Sequence, residues 1–269
     1  MQVYQSREPW RGARAEDVYI VVNDQGVQCG CGCVICTYSP SIYPERPVRL
    51  YFNMECTPEA EYMLFGALIG HARRMRQQYP HKYAYVYTDV HPEDSHLLNF
   101  CLHNGLQVFD AEELVRLTVP YDADPDSFGC SFASIPLNTV QSQNALIARM
   151  ARNELTHITP SYLQALAANP FFMVLGLFVP GNNDPVAECI ISGAAGGEPE
   201  LAAIYVDSGY RGNGLGTKLL RRALTLCGAN GVRSIQARVM TASQPQMRLM
   251  RRFGAESLCQ TLLLPGKEL

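Results

Sequence analysis

The 269-residue chain has little charge, a single tryptophan and no long apolar run. Charged residues make up 17% of it and apolar residues 47%, which excludes a disordered chain and provides for a core. Nowhere do about 18 apolar residues follow one another, so no membrane partner is expected. Basic excess is also missing. The 22 Lys and Arg stand against 25 Asp and Glu, a net charge of −3, so no nucleic-acid partner is expected. Met1–Trp10 carries no apolar core of a secretory leader, and a cytoplasmic location is expected. Ten cysteines in that setting read as reduced thiols rather than a disulfide framework. The length fits one large domain or two small ones at roughly 100–200 residues each.

What is present is ordered in two parallel series. Residues 1–150 hold 11 basic and 17 acidic residues, and residues 151–269 hold 11 and 8. Between them Val119–Leu137, with three Pro, three Asp and one Gly, reads as a linker, with a short strand at Cys130–Ile135 compatible with it. In the first half, Val18–Asn23 and Val27–Tyr38 form a hairpin pattern, followed by strand Val48–Met54 and helix Glu59–Gln77. Strand Tyr83–Val90, helix Asp94–Asn104 and strand Leu106–Val119 complete it. The second half repeats this order: Phe171–Val179, Val186–Ser192 and Leu201–Val206 as strands, and Gly214–Ala229 as a helix. Strand Ser234–Met240, helix Ser243–Phe253 and strand Ser257–Leu264 follow. It adds helices at Gln141–Glu154 and Ser161–Ala168. Asp94 and Ser243 stand where a short side-chain oxygen caps a helix, and Gly105 and Gly254 where a left-handed residue ends one. The pattern predicts an internal duplication, with domains over 1–125 and 126–269.

One stretch carries chemistry. The strand Leu201–Val206 runs through Arg211-Gly212-Asn213-Gly214-Leu215-Gly216-Thr217 into a helix. Glycines let a ligand approach the backbone, and the unpaired N–H groups of a first helical turn attract anions. Arg211 adds positive charge, so the turn suits a phosphate or pyrophosphate. The spacing is neither the Gly-x-Gly-x-x-Gly of dinucleotide-binding folds nor a Walker loop.

This segment, from Ile204-Tyr205-Val206 to Gly216, resembles motif A of the GCN5-related N-acetyltransferases (GNAT). The resemblance extends by motif and order over about residues 130–269 and by order alone over 18–119. It implies an α/β (α+β) chain of tandem GNAT-like folds, each a mixed, mostly antiparallel twisted sheet flanked by helices. It further implies acetyl-CoA as cosubstrate, no metal, and transfer of an acetyl group to a primary amine of a small molecule or of a peptide or protein. The cofactor contacts it implies are Ile204, Val206, Arg211, Gly212, Asn213, Gly214, Leu215, Gly216, Thr217 and Ser243. The first half departs from the motif: Glu59-Ala60-Glu61-Tyr62 replaces the glycines and arginine, so that half is expected to bind no coenzyme A. Met250 stands where the family often has a general-acid Tyr.

An amine attacks a thioester only when neutral, so a base is useful. Glu200 heads the motif strand, at an offset that resembles the glutamate base of histone acetyltransferases. Tyr205 is the second catalytic candidate and Glu188 a weaker base. Cys29, Cys31 and Cys33 would share one strand face, with Cys36 nearby, a spacing that suits packing better than zinc. Two other functions remain open, a noncatalytic acyl-coenzyme A-binding module and a cysteine-based metal or redox protein. A monomer or a homodimer fits the sequence equally.

Overall fold

The computed structural model of the chain describes residues 1–119 and 129–269. The middle of the expected linker and the expected boundary after residue 125 lie in 120–128, outside the described residues. In chain order the elements are β1 (Gln2–Gln5), β2 (Val18–Val22), β3 (Gln28–Tyr38), β4 (Val48–Cys56), α1 (Glu61–Arg76), β5 (Ala84–Tyr87) and α2 (Ser95–His103). They continue as β6 (Gln107–Thr118), β7 (Ser131–Ser134), α3 (Val140–Arg152), α4 (Pro160–Ala167), β8 (Phe171–Phe178) and β9 (Ala187–Gly193). The last are β10 (Glu200–Val206), α5 (Leu215–Ala229), β11 (Ser234–Met240), α6 (Gln244–Arg252) and β12 (Glu256–Glu268). This is the order expected from the sequence plus β1, whose short polar run gave no alternation to read. Asp94 caps α2 as expected, accepting the Leu97 N–H at 3.0 Å, and Gly105 and Gly254 take left-handed backbone after α2 and α6.

Two compact units form. One comprises Met1–Ala111 and Thr261–Leu269, and the other Glu112–Gln260. Each holds a mostly antiparallel sheet with helices packed on it. In the first unit the strand order is β1-β2-β3-β4-β5-β12, and in the second β6-β11-β10-β9-β8-β7. The parallel pairs are β4 with β5 and β10 with β11. Chain order suggests that Leu106–Val119 closes the first half's sheet. Instead Glu112–Thr118 of β6 pairs antiparallel with β11, while Gly266–Glu268 of β12 pairs with β5. A strand that follows a parallel crossover leaves one edge of backbone groups open, and any strand of suitable alternation within reach satisfies it.

In the first unit α1 buries Leu64, Leu68 and Ala72 against Val34, Leu50, Phe52 and Val86. The helix sits low because Gly32 of β3 has no side chain; a Cβ there would stand 2.8 Å from Leu68 Cδ1. The second unit's sheet is covered on both faces, and every residue of β9 is buried. Leu177, Ile191, Leu219, Leu224 and Val239 form the core beneath α5 and α6. Leu146, Met150, Leu163, Val174, Ile190, Ala203 and Tyr205 form the core beneath α3 and α4. Among the described residues no helix is long and apolar enough to cross a membrane.

Candidate functional site

The site grows from the register of β10. Its ladder with β9 pairs Tyr205 with Glu188 and Val206 with Ala187, and the Asp207 N–H donates to the Val186 carbonyl at 2.8 Å. Hydrogen-bonded and non-bonded positions alternate along an antiparallel pair. The N–H and C=O groups of Ile204 and Val206 therefore point away from β9, toward β11. Yet β11 pairs with β10 only at Glu200 and Leu201. Beyond Leu201 the two parallel strands part, and a bulge between Leu201 and Ala203 marks the place. The result is a slot with the backbone of Ile204 and Val206 along one wall.

At the end of β10 a turn over Ser208–Tyr210 leads to the glycine loop. Gly212 and Gly214 have φ of +84° and +75°, and a Cβ on either would meet nothing within 4 Å. Gly214 is the N-cap of α5, and no side chain caps that helix. The first-turn amides of Leu215, Gly216 and Thr217 thus face an open loop surface at the positive end of the helix dipole. Gly216 has a different task. A Cβ there would stand 3.4 Å from Val206 Cγ2, so this glycine lets α5 start close against β10. The Arg211 side chain folds back: Nε donates to the Val206 carbonyl at 2.8 Å, and Nη2 donates to Asn153 Oδ1 at 3.4 Å. Asn213 Nδ2 donates to the Tyr210 carbonyl at 3.3 Å, and Thr217 Oγ1 accepts from Arg252 at 3.3 Å.

Ser243 stands at the start of α6, but its hydroxyl does not cap the helix. The residue is fully buried and its Oγ has no hydrogen-bond partner. A buried hydroxyl without a partner costs stability. Met250 lies in the core beneath α6 and offers no proton.

The two catalytic candidates have contrasting surroundings. Tyr205 is buried and donates its hydroxyl to Glu188 Oε2 at 2.5 Å. Burial, then the Glu188 carboxylate, holds its phenol well above the usual tyrosine range. Glu188 is itself fully buried and receives Arg149 through Nε at 2.8 Å and Nη2 at 2.7 Å. That carboxylate is committed to structure. Glu200 is different, its side chain about 35% exposed at the start of β10. It accepts from Arg238 Nε at 3.1 Å, and Arg238 also reaches Glu112 at 3.1 Å. Nearby Tyr162 of α4 has its phenol raised by burial first and by the Glu200 charge second.

Sequence reasoning missed Arg149 and Asn153. Arg149 lies in α3 and Asn153 is its C-cap, and α3 reaches the site only through folding. Their one signal is the spacing of two polar residues four apart on either side of the buried Met150.

The cysteines are divided differently from the sequence reading. Val21 faces Gly30, but Val22 faces Gln28, so β3 bulges at Cys29. The extra residue turns Cys29 toward the α1 side, while Cys31 and Cys33 pack with Ala13 and Val18 on the other. Burial pushes the Cys31 and Cys36 thiols up, and that of Cys33 to about 11. Among the described residues no three His, Cys, Asp or Glu side chains are grouped to hold a metal ion. At the first half's matching loop, a turn over Pro58–Ala60 runs directly into α1, with Ala60 buried and Glu59 and Glu61 at the helix start.

Residues 147–255 match the family model described as the acetyltransferase (GNAT) family. No curated protein matches the chain. Among solved structures, a GCN5-related N-acetyltransferase from Sphaerobacter thermophilus is 18% identical, with 96% of this chain and 83% of that one covered and a TM-score of 0.51. A conserved protein from Enterococcus faecalis V583, described as a probable N-acyltransferase, is 10% identical over 92% of this chain and 61% of that one, with a TM-score of 0.55. A glucosamine N-acetyltransferase region of a fungal multi-domain β-N-acetylglucosaminidase is 13% identical over 92% of this chain and 32% of that one, TM-score 0.51. These likenesses are of fold.

Proposed function

We propose that the chain, in which residues 147–255 form a GNAT acetyltransferase domain, transfers an acetyl group from acetyl-CoA to a primary amine of a small molecule or peptide. The observation that carries this reading is the slot between β10 and β11 opening beside an uncapped, glycine-lined start of α5. The amides of Leu215, Gly216 and Thr217 hold the pyrophosphate, and Gly212 and Gly214 keep its approach clear. Arg211 supplies positive charge beside it, and Asn213 stiffens the loop. The backbone of Ile204 and Val206 pairs with the pantetheine arm, and the Ser243 hydroxyl gains the partner it lacks.

When bound, acetyl-CoA supplies the activated acyl group. The chain's own part is to orient the thioester carbonyl toward a backbone N–H near Val206, where developing negative charge is stabilised. Glu200 takes the proton of the incoming ammonium, directly or through water, because it is the candidate carboxylate that solvent reaches. Tyr205 positions the strand and donates no proton to the leaving thiolate, since its hydroxyl is bound to Glu188. A thiolate leaves acceptably without an acid, so Met250 does not stop the reaction.

A second reading, an acyl-coenzyme A-binding module without catalysis, draws support from the same Met250. Isothermal titration with coenzyme A is expected to give a stoichiometry near one, held by the second half. Gly214→Val forces a β-branched residue into left-handed backbone and fills the phosphate's approach, and should abolish binding. A stoichiometry near two, or wild-type binding by Gly214→Val, would refute the assignment. Binding without thiol release across an amine panel would favour the second reading.

A further inference from the structure

The end of α3 makes side-chain contacts both with the sheet and with the turn that precedes the glycine loop. Arg149 and Asn153, four residues apart, project on one face of the helix. Arg149 grips Glu188, which in turn holds the Tyr205 hydroxyl. Asn153 is buried with all of its polar atoms used. Its Nδ2 donates to the Arg149 carbonyl at 3.1 Å and to Asp207 Oδ1 at 2.7 Å, while its Oδ1 accepts from Arg211 at 3.4 Å. The residue that follows, Glu154, stands at φ +69°, a left-handed position where glycine is usual. The helix therefore ends at some backbone cost in the geometry that presents Asn153.

Asp207 and Arg211 bracket the turn that joins β10 to the glycine loop. The Asp207 N–H is anchored to Val186, its carbonyl accepts the Tyr210 N–H at 2.9 Å, and its side chain is held by Asn153. Arg211 closes the circuit on the Val206 carbonyl. The amide donates to the carboxylate through its nitrogen while its oxygen accepts from the guanidinium. Without it Asp207 and Arg211 are drawn directly to each other, and the turn between them changes shape.

We propose that Asn153 is a positioning residue for the coenzyme A loop: by separating and orienting Asp207 and Arg211 it sets the direction in which β10 hands the chain to the glycines. The inference rests on the coenzyme A reading above and adds a residue from outside the motif. The expected phenotype follows from losing a hydrogen bond to a charged group. Asn153→Ala should weaken coenzyme A binding by about 10-fold to 100-fold.

The test is isothermal titration of the full chain with coenzyme A, beside thermal unfolding. Asn153→Ala and Asp207→Asn should each bind more weakly. In turnover the apparent KM for acetyl-CoA should rise while kcat at saturation stays within about 3-fold. The exchanged pair, Asn153→Asp with Asp207→Asn, keeps an amide-to-carboxylate bond with donor and acceptor reversed, and leaves an acceptor for Arg211. It should bind at least about 5-fold more tightly than Asn153→Asp alone, while the KM-against-kcat split separates positioning of the loop from general loss of structure. Should Asn153→Ala fail to fold, the comparison of Asn153→Asp with the exchanged pair decides. Wild-type affinity in Asn153→Ala, or no recovery in the pair, overturns the positioning role and leaves the coenzyme A reading intact. Failure of the wild-type chain to bind coenzyme A overturns the reading itself.

Discussion

Replacing Arg149 with methionine should destabilise the second unit by about 3–5 kcal/mol. Glu188 is fully buried and takes three hydrogen bonds, two of them from Arg149 and one from Tyr205. Arg149→Met leaves a buried carboxylate with a single donor and no cation. Adding Glu188→Met removes the charge, and the remaining penalty is the Tyr205 hydroxyl without an acceptor, about 1–3 kcal/mol. Adding Tyr205→Phe removes that too, and the triple variant should return to within about 1 kcal/mol of wild type, as apolar replacements of buried ion pairs often do. Calorimetry is the suitable assay because the chain has two compact units and can show two transitions. If the second unit binds coenzyme A as proposed, saturating coenzyme A should raise its transition and so identify it. An Arg149→Met variant within about 1 kcal/mol of wild type, or a triple variant as unstable as the single one, would refute the buried ion pair as the source of this stability.

Ser243→Ala should keep or raise the unfolding midpoint, since it deletes a buried hydroxyl with no partner, yet weaken coenzyme A binding; equal loss of both would contradict this. Glu200→Gln should cut turnover by about 10²–10⁴-fold, partly restored from pH 6 to 9 as the amine deprotonates by itself, with unchanged turnover removing Glu200 from the mechanism. Mass-spectrometric mapping of maleimide at pH 7 should find the exposed Cys259 labelled well before the buried Cys33, Cys101, Cys189 and Cys227. Because burial raises the Cys33 thiol from 9.0 to about 11, the folded state holds that proton longer than the unfolded one. Stability from this group is present below about pH 9 and is lost as pH rises toward 11. Residues 1–125 expressed alone lack Thr261–Leu269, the strand that covers β5, and should aggregate; a soluble, cooperatively unfolding monomer would count against the strand exchange.

Much of the loop could be read from the chain because its parts are contiguous. Arg211, the three glycines and the start of α5 lie within seven residues, and left-handed glycines and helix starts are local properties of backbone. The same holds for the order of strands and helices and for the Asp94 cap. Ser243 shows the limit of such reading. The residue type fits a cap, but the conformation of the turn leaves its hydroxyl facing inward without a partner.

Tertiary structure decided the partners. Arg149 meets Glu188 across 39 residues and Asn153 meets Asp207 across 54, distances over which no periodicity carries information. Glu188 and Tyr205 were each visible as polar residues in apolar strands, but only the β9–β10 register sets them side by side and so turns two catalytic candidates into one buried cluster. A single bulge at Cys29 divided three cysteines that simple alternation placed together. The final strands were foreseen as strands but not by partner. Alternation specifies which face of a strand is buried, whereas the neighbour is chosen by which open edge the folded chain brings within reach, and here β11 takes β6 and β5 takes β12.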